Sequence, residues 1–246
     1  DECFTFDSSR FWSLHDYHIK FKLGIDPESI DLIIVGSLTS DYFFPGVSAQ
    51  VQDALGIRTV GAFDIKAACS AFIYSLSIGD QFIQTGMYET ILVIGAEVQS
   101  TALDKSLDGR ALAVLFADGA GAVVLKKNKG DSGIISTHLH CQGKYLKELW
   151  CEGPASRENP RLSMQMLNEG RHFPYMNGRE VFKNAVRRFP EVIQEALDTN
   201  NLSINDIALI IPDQANARIT SAVQRKLGID KNKIFSNIHK YGNTTG

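Results

Sequence analysis

Cysteine is scarce in this 246-residue chain, and its four copies, Cys3, Cys69, Cys141 and Cys151, show neither CxxC spacing nor a dense framework. That argues against a zinc site and against a disulfide scaffold, and it fits a reducing, cytoplasmic setting. Basic charge is not in excess either: the formal net charge is −3, so nothing in the overall balance points to nucleic acid. No apolar run approaches the roughly 18 residues that a membrane helix needs, and the first residues lack a basic-then-apolar leader pattern, so the expectation is a soluble intracellular protein. Low-complexity segments and flexible linkers are absent as well. What remains is a chain with 44% hydrophobic residues, enough for one large core or two coupled ones.

The pattern that is present is a duplication. Ile30–Val35 and Ile207–Ile211 read as buried strands, and each is preceded by a helical pattern and a turn. The helical patterns are a short one through Leu14, Tyr17 and Phe21 and a longer one from Glu180 to Leu197; the turns are Asp26-Pro27-Glu28-Ser29 and Ser203-Ile204-Asn205-Asp206. Each strand is followed by a loop and a helix with matching ends, Val51-Gln52-Asp53-Ala54-Leu55-Gly56-Ile57 and Val223-Gln224-Arg225-Lys226-Leu227-Gly228-Ile229. The glycine in each suits a left-handed C-cap. A further strand is expected after each, Gly61–Ile65 and Ile234–Ile238, and between the copies Thr90–Ala96, Ala111–Phe116, Gly121–Lys126 and Gly133–His140 also read as strands. Two α/β halves related by a pseudo-dyad follow, residues 1–130 and 131–246. The polar stretch from Cys141 to Gly170 reads as a long surface excursion or flap.

The segment Ala67-Ala68-Cys69-Ser70-Ala71 sits where the strand Gly61–Ile65 hands over to a helical pattern, Phe72–Thr85, with apolar residues at Phe72, Ile73, Leu76, Ile78 and Phe82. A thiol there meets unpaired backbone N–H groups and the positive end of the helix dipole, which favour thiolate. A buried core cysteine is equally compatible with this segment alone. Asp213 lies two residues beyond the strand ending at Ile211, and Asn243 lies just beyond the last strand of the second half. Ligands gather at the carboxyl ends of strands in parallel α/β sheets, so Cys69, Asp213 and Asn243 are candidates for convergence.

With Asp64–Phe72, Phe116–Ala122, Ile134–His140, Asn177–Phe182, Pro212–Arg218 and Tyr241–Thr245, the chain resembles β-ketoacyl-acyl-carrier-protein synthase III, a thiolase-fold condensing enzyme, from about Gly24 onward. The resemblance implies a five-layered αβαβα fold, incomplete at both ends, and a homodimer. It also implies that Cys69 takes the acyl group of an acyl-CoA as a thioester. A histidine and Asn243 would then stabilise the enolate formed when malonyl-acyl-carrier protein loses CO2, and the carbanion would attack the acyl-cysteine. Arg110, Gly178, Phe182, Asn216 and Arg218 would line the entry for the CoA or phosphopantetheine arm, and Phe44 would border the acyl pocket. No separate cofactor or metal is implied.

The chain departs from the family pattern where it matters. Asp213 stands where the family has its catalytic histidine, and none of the six histidines replaces it by position. A carboxylate accepts hydrogen bonds where imidazole donates one, so condensation is the step expected to suffer, by about 10²–10³ for a lost oxyanion donor. A protonated Asp213 would restore a donor. The first 23 residues do not match the family's opening, and the family continues past Gly246. Two other readings stay open: an acyltransferase that forms esters or amides, and a catalytically impaired partner subunit. Asp118-Gly119-Ala120-Gly121 reads as a turn between strands rather than a phosphate loop. The local excess of +4 between Asp213 and Tyr241, around Arg218, Arg225 and Lys226, fits either docking of an acidic carrier protein or a solvated helix face.

Overall fold

In a computed structural model the described residues are 25–130 and 132–245, with the backbone of Phe4–Thr5. The short helix expected through Leu14, Tyr17 and Phe21, the thiol Cys3 and histidines His15 and His18 lie outside them. The chain divides into two compact units: residues 1–98 with 117–137 and 244–246, and residues 99–116 with 138–243. The 130/131 boundary expected from the sequence falls inside the first unit.

The first unit is built on a five-stranded mixed sheet with strands β1 (Phe4–Thr5), β2 (Leu32–Gly36), β3 (Gly61–Ile65), β4 (Thr90–Glu97) and β5 (Gly119–Lys126). Their spatial order is β1-β5-β4-β2-β3, with β2 parallel to both β3 and β4, and β5 antiparallel to β4 and β1. Two helices, α1 (Val47–Leu55) and α2 (Ala71–Gln84), cross between the parallel strands. The interior strand β2 is buried along its whole length, which is why its sequence runs apolar without alternation. Its Ile33 and Val35 pack with Val47, Val51 and Leu55 of α1, while Leu32 and Ile34 pack with Phe72, Leu76 and Phe82 of α2.

Both ends of the duplicated motif form alike. Asp26 caps a 3₁₀ turn, Pro27–Ser29, before β2, and Ser203 with Asp206 forms a capping box on the 3₁₀ turn Ile204–Asp206. Gly56 closes α1 at φ +61°. Gly228 closes the corresponding helix of the second unit at φ +65°.

In that second unit the long helix α5 (Gly178–Thr199) packs on α6 (Ala217–Leu227). Shorter elements are α3 (Arg110–Ala113), α4 (Met164–Asn168), α7 (Ile238–Tyr241) and a hairpin of β6 (Leu149–Cys151) with β7 (Pro174–Met176). Four of the expected strands are not formed. Ile207–Ile211 and Ile234–Ile238 meet only in a single parallel bridge, Ile210 with Ile234, and Leu209 and Ile211 stay 46% and 69% exposed. The run lacks the two flanking ladders that bury β2. Residues 111–116 coil into α3 and a turn, because the alanine-rich stretch satisfies its N–H groups locally, as in Ala113 N–H to Gly109 O at 3.1 Å. Residues 133–140 run without a ladder. The excursion 141–170 is less irregular than its composition suggests: it folds around fully buried Met166, and Arg171 bonds Glu152 at 3.0 Å, Glu158 at 3.3 Å and Glu169 at 2.8 Å. Gly119–Gly121, expected as a turn, opens β5 instead. A side chain at Gly119 would fall 2.5 Å from Thr244 Cγ2, so close packing selects glycine there.

Candidate active site

Cys69 lies in the 3₁₀ turn Ala68–Ser70, between the carboxyl end of β3 and the first residue of α2. It is half-buried. Ala68 before it takes φ +49°, a left-handed conformation that L-residues avoid at a cost of about 1–2 kcal/mol. Such strain is tolerated where the surrounding structure fixes it, and it turns the chain sharply at the thiol. Gly36 at the end of β2 lies so near that an added Cβ would be 2.8 Å from Ala71 Cβ. Small residues therefore crowd the backbone at the base of this turn.

The loop joining β2 to α1 leaves the same sheet end. Its Phe44 is 80% exposed and stands edge-on to Phe43, ring centroids 6.2 Å apart.

The second unit carries the remaining candidates. Asn243 is buried, and its N–H donates to Leu115 O at 2.9 Å, forming a bridge beside Phe116. Asp213 follows the Ile210 bridge on an irregular loop. Loss of solvent pushes its carboxyl up to about 7, opposed only by the backbone N–H of Gln214. It therefore holds a proton through much of the range below neutrality, the condition under which an aspartic acid can donate.

Gln214 was not singled out from the sequence, although it sits inside a motif that was. Its Nε2 donates to Pro212 O at 2.9 Å, and its Oε1 accepts from Asn237 N at 2.9 Å and Ile238 N at 3.2 Å. One side chain thus braces the Asp213 loop against the segment that leads to Asn243. That segment is α7 rather than the expected strand, and it carries His239.

Arg110 opens α3, which packs on β7, and β7 runs directly into Asn177 and Gly178. Asn177 caps α5, so Gly178 is its first residue and Phe182 lies one turn on, 37% exposed. Asn216 caps α6, accepting from Arg218 N at 2.9 Å, which commits its side-chain oxygen. Arg218 and Arg225 lie seven residues apart on α6, both exposed and on one face. Lys226 reaches away to Val186 O at 3.4 Å. His138 and His140 share one carboxylate, Glu195, at 3.1 and 2.7 Å, and hold its pKa low, His140 most. Among the described residues no group of three or more His, Cys, Asp or Glu is placed to hold a metal ion.

Two family models match the chain: 3-oxoacyl-[acyl-carrier-protein] synthase III over residues 63–143 and its C-terminal model over 197–246. A β-ketoacyl-[acyl-carrier-protein] synthase III from Chlorobium luteolum is 37% identical over 226 residues, covering 91% of this chain and 68% of the relative. The chain belongs to the synthase III family. Its Rhodospirillum centenum relative is 42% identical over 226 residues, covering 90% of this chain and 66% of the relative. The crystal structure of the synthase III from Aquifex aeolicus superposes with a TM-score of 0.80 at 42% identity, covering 90% of this chain and 66% of that one. The thiolase-type α/β fold expected from the sequence is thereby established, and the chain spans about two thirds of the length of these synthase III relatives. In this synthase III chain Cys69 and its strand–turn–helix fall within the first matched region, Asp213 and Asn243 within the second. No helix among the described residues is long and apolar enough to cross a membrane.

Proposed function

We propose that this chain carries the acyl-accepting and condensing chemistry of a β-ketoacyl-acyl-carrier-protein synthase III, starting fatty acid synthesis from an acyl-CoA and malonyl-acyl-carrier protein. The observation that carries the reading is the placement of Cys69 on a strained turn at the head of α2, within a family-matched segment. Cys69 attacks the acyl-CoA thioester, an acyl–sulfur bond forms as CoA thiolate leaves, and the negative charge of the attacking sulfur is stabilised by the helix terminus. Loss of CO2 from the malonyl group leaves an enolate, which Asn243 and protonated Asp213 stabilise as hydrogen-bond donors. The carbanion then attacks the acyl carbonyl and Cys69 leaves as thiolate.

Arg110, Gly178, Phe182, Asn216 and Arg218 are assigned to the CoA or phosphopantetheine arm, and Phe44 to the acyl pocket. Arg218 and Arg225, with Lys226 beside them, form the docking face for an acidic carrier protein. The reading includes a homodimer in the cytoplasm and needs no cofactor. Its test is product analysis with acetyl-CoA and malonyl-carrier protein: a 3-ketoacyl product that disappears in Cys69→Ser supports it. An ester or amide formed from the same acyl-CoA, with no carbon–carbon bond, would favour the acyltransferase alternative.

A further inference from the structure

Gln214 is half-buried on the loop that carries Asp213, and the two ends of its amide serve different stretches of chain. Its Nε2 donates to Pro212 O at 2.9 Å and, more loosely, to Phe235 O at 3.4 Å. Its Oε1 accepts from the N–H groups of Asn237 at 2.9 Å and Ile238 at 3.2 Å. Those two N–H groups stand at the start of α7, where a helix has no carbonyl of its own to offer them. Asn237, in the cap position, makes no side-chain cap bond. Gln214 therefore caps α7 from outside the helix.

α7 is a single turn, so whatever fixes its first residue also fixes its last. Tyr241 N–H donates to Asn237 O at 3.1 Å, and Gly242 N–H donates to Ile238 O at 2.8 Å. Gly242 takes φ +72° and turns the chain out of the helix. Asn243 follows directly, buried, with its own N–H on Leu115 O at 2.9 Å. On the other side, the Asp213 loop is anchored a few residues earlier, where Phe235 N–H donates to Ile210 O at 2.9 Å. That bridge is isolated, so backbone pairing does not continue toward Asp213 and the glutamine amide takes over from it.

We infer that Gln214 is a positioning residue for carbon–carbon bond formation: its amide ties the Asp213 loop to the start of α7 and so fixes where Asn243 presents its side chain to the enolate. The inference rests on the proposed roles of Asp213 and Asn243 as donors. It separates the two half-reactions, because all four bonds of the amide lie within the second unit, whereas Cys69 sits on a turn of the first. Gln214→Met keeps length and volume but removes both donor and acceptor. Gln214→Glu keeps the acceptor toward Asn237 and Ile238 and loses the donor toward the two carbonyls.

The test follows both half-reactions of the full chain in single turnovers: acetyl transfer from acetyl-CoA to Cys69, then 3-ketoacyl formation with malonyl-carrier protein. Gln214→Met should slow condensation by about tenfold or more, since misplacing a group by an ångström can cost about 10²-fold. Gln214→Glu, which keeps the cap on α7, should lose less, and acylation of Cys69 should change little in either. In the Asn243→Ala background Gln214→Met should cost almost nothing further, because a positioning residue then has nothing left to position. Hydrogen exchange at Gly242 and Asn243 should quicken in Gln214→Met. Unchanged condensation, unchanged exchange, additive losses in the double variant, or acylation falling together with condensation would overturn the inference. A parent chain that forms no 3-ketoacyl product would overturn the reading of the site and the positioning role with it, while exchange judges the brace by itself.

Discussion

Gln52 and Gln224 make the same bond in the two copies of the duplicated motif: each Nε2 reaches past a left-handed glycine to the carbonyl of the following isoleucine, Ile57 at 2.7 Å and Ile229 at 3.1 Å. The side chain satisfies a carbonyl one residue past the helix cap, tying the outgoing chain back to the last turn. Replacing either glutamine with alanine should cost about 1 kcal/mol. Urea denaturation of each variant reads this directly, and a loss in only one copy would show that the two ends are not energetically equivalent.

Asp213 gives stability a distinctive pH dependence. Its carboxyl is raised from 3.8 to about 7 in the folded chain, so between those values the folded state holds a proton that the unfolded state has released. Its contribution is therefore full below about 4 and lost as pH rises through about 7, amounting to a few kcal/mol at most. Asp213→Asn should flatten that part of the profile. Thermal unfolding of both proteins from pH 4 to 8 checks it, and parallel profiles would place the carboxyl back in solvent.

Restoring a fixed donor should favour condensation. Asp213→His is expected to raise malonyl decarboxylation and carbon–carbon bond formation by about tenfold or more above pH 7, where the carboxyl has lost its proton. Acylation of Cys69 should change little. Single-turnover assays of the two half-reactions separate these effects.

The legibility of the chain follows its packing. The elements of the first unit were readable because β2 is enclosed on both faces and its helices carry clean apolar stripes, so local pattern and tertiary burial agree. In the second unit the same pattern around Ile207–Ile211 finds a single bridge, and apolar sequence alone does not say whether a run has neighbours to pair with. The segment expected as a strand at 133–140 forms no ladder either; what ties it down is side-chain contact, Thr137 with Ser77 and the two histidines with Glu195. The position of Cys69 was legible from small residues at a strand–helix junction. The support Gln214 was not, since nothing local marks a side chain whose partners in α7 lie far along the chain.

The exposed pair Arg218 and Arg225 should act on encounter with an acidic carrier protein. Reversing both charges to glutamate is expected to raise the apparent KM for malonyl-carrier protein several-fold at low salt, and the difference should shrink as salt screens the surface. Acylation by acetyl-CoA should be spared far more. Equal losses with both substrates would indicate damage to the shared entry instead.

The most direct test of the central claim is the intact mass of the protein after mixing with acetyl-CoA, with peptide mapping of the adduct. One acetyl group on Cys69 is expected, absent in Cys69→Ala and discharged on adding malonyl-carrier protein. No adduct, or comparable labelling of Cys3, Cys141 or Cys151, would contradict the assignment of Cys69 as the acyl-accepting nucleophile.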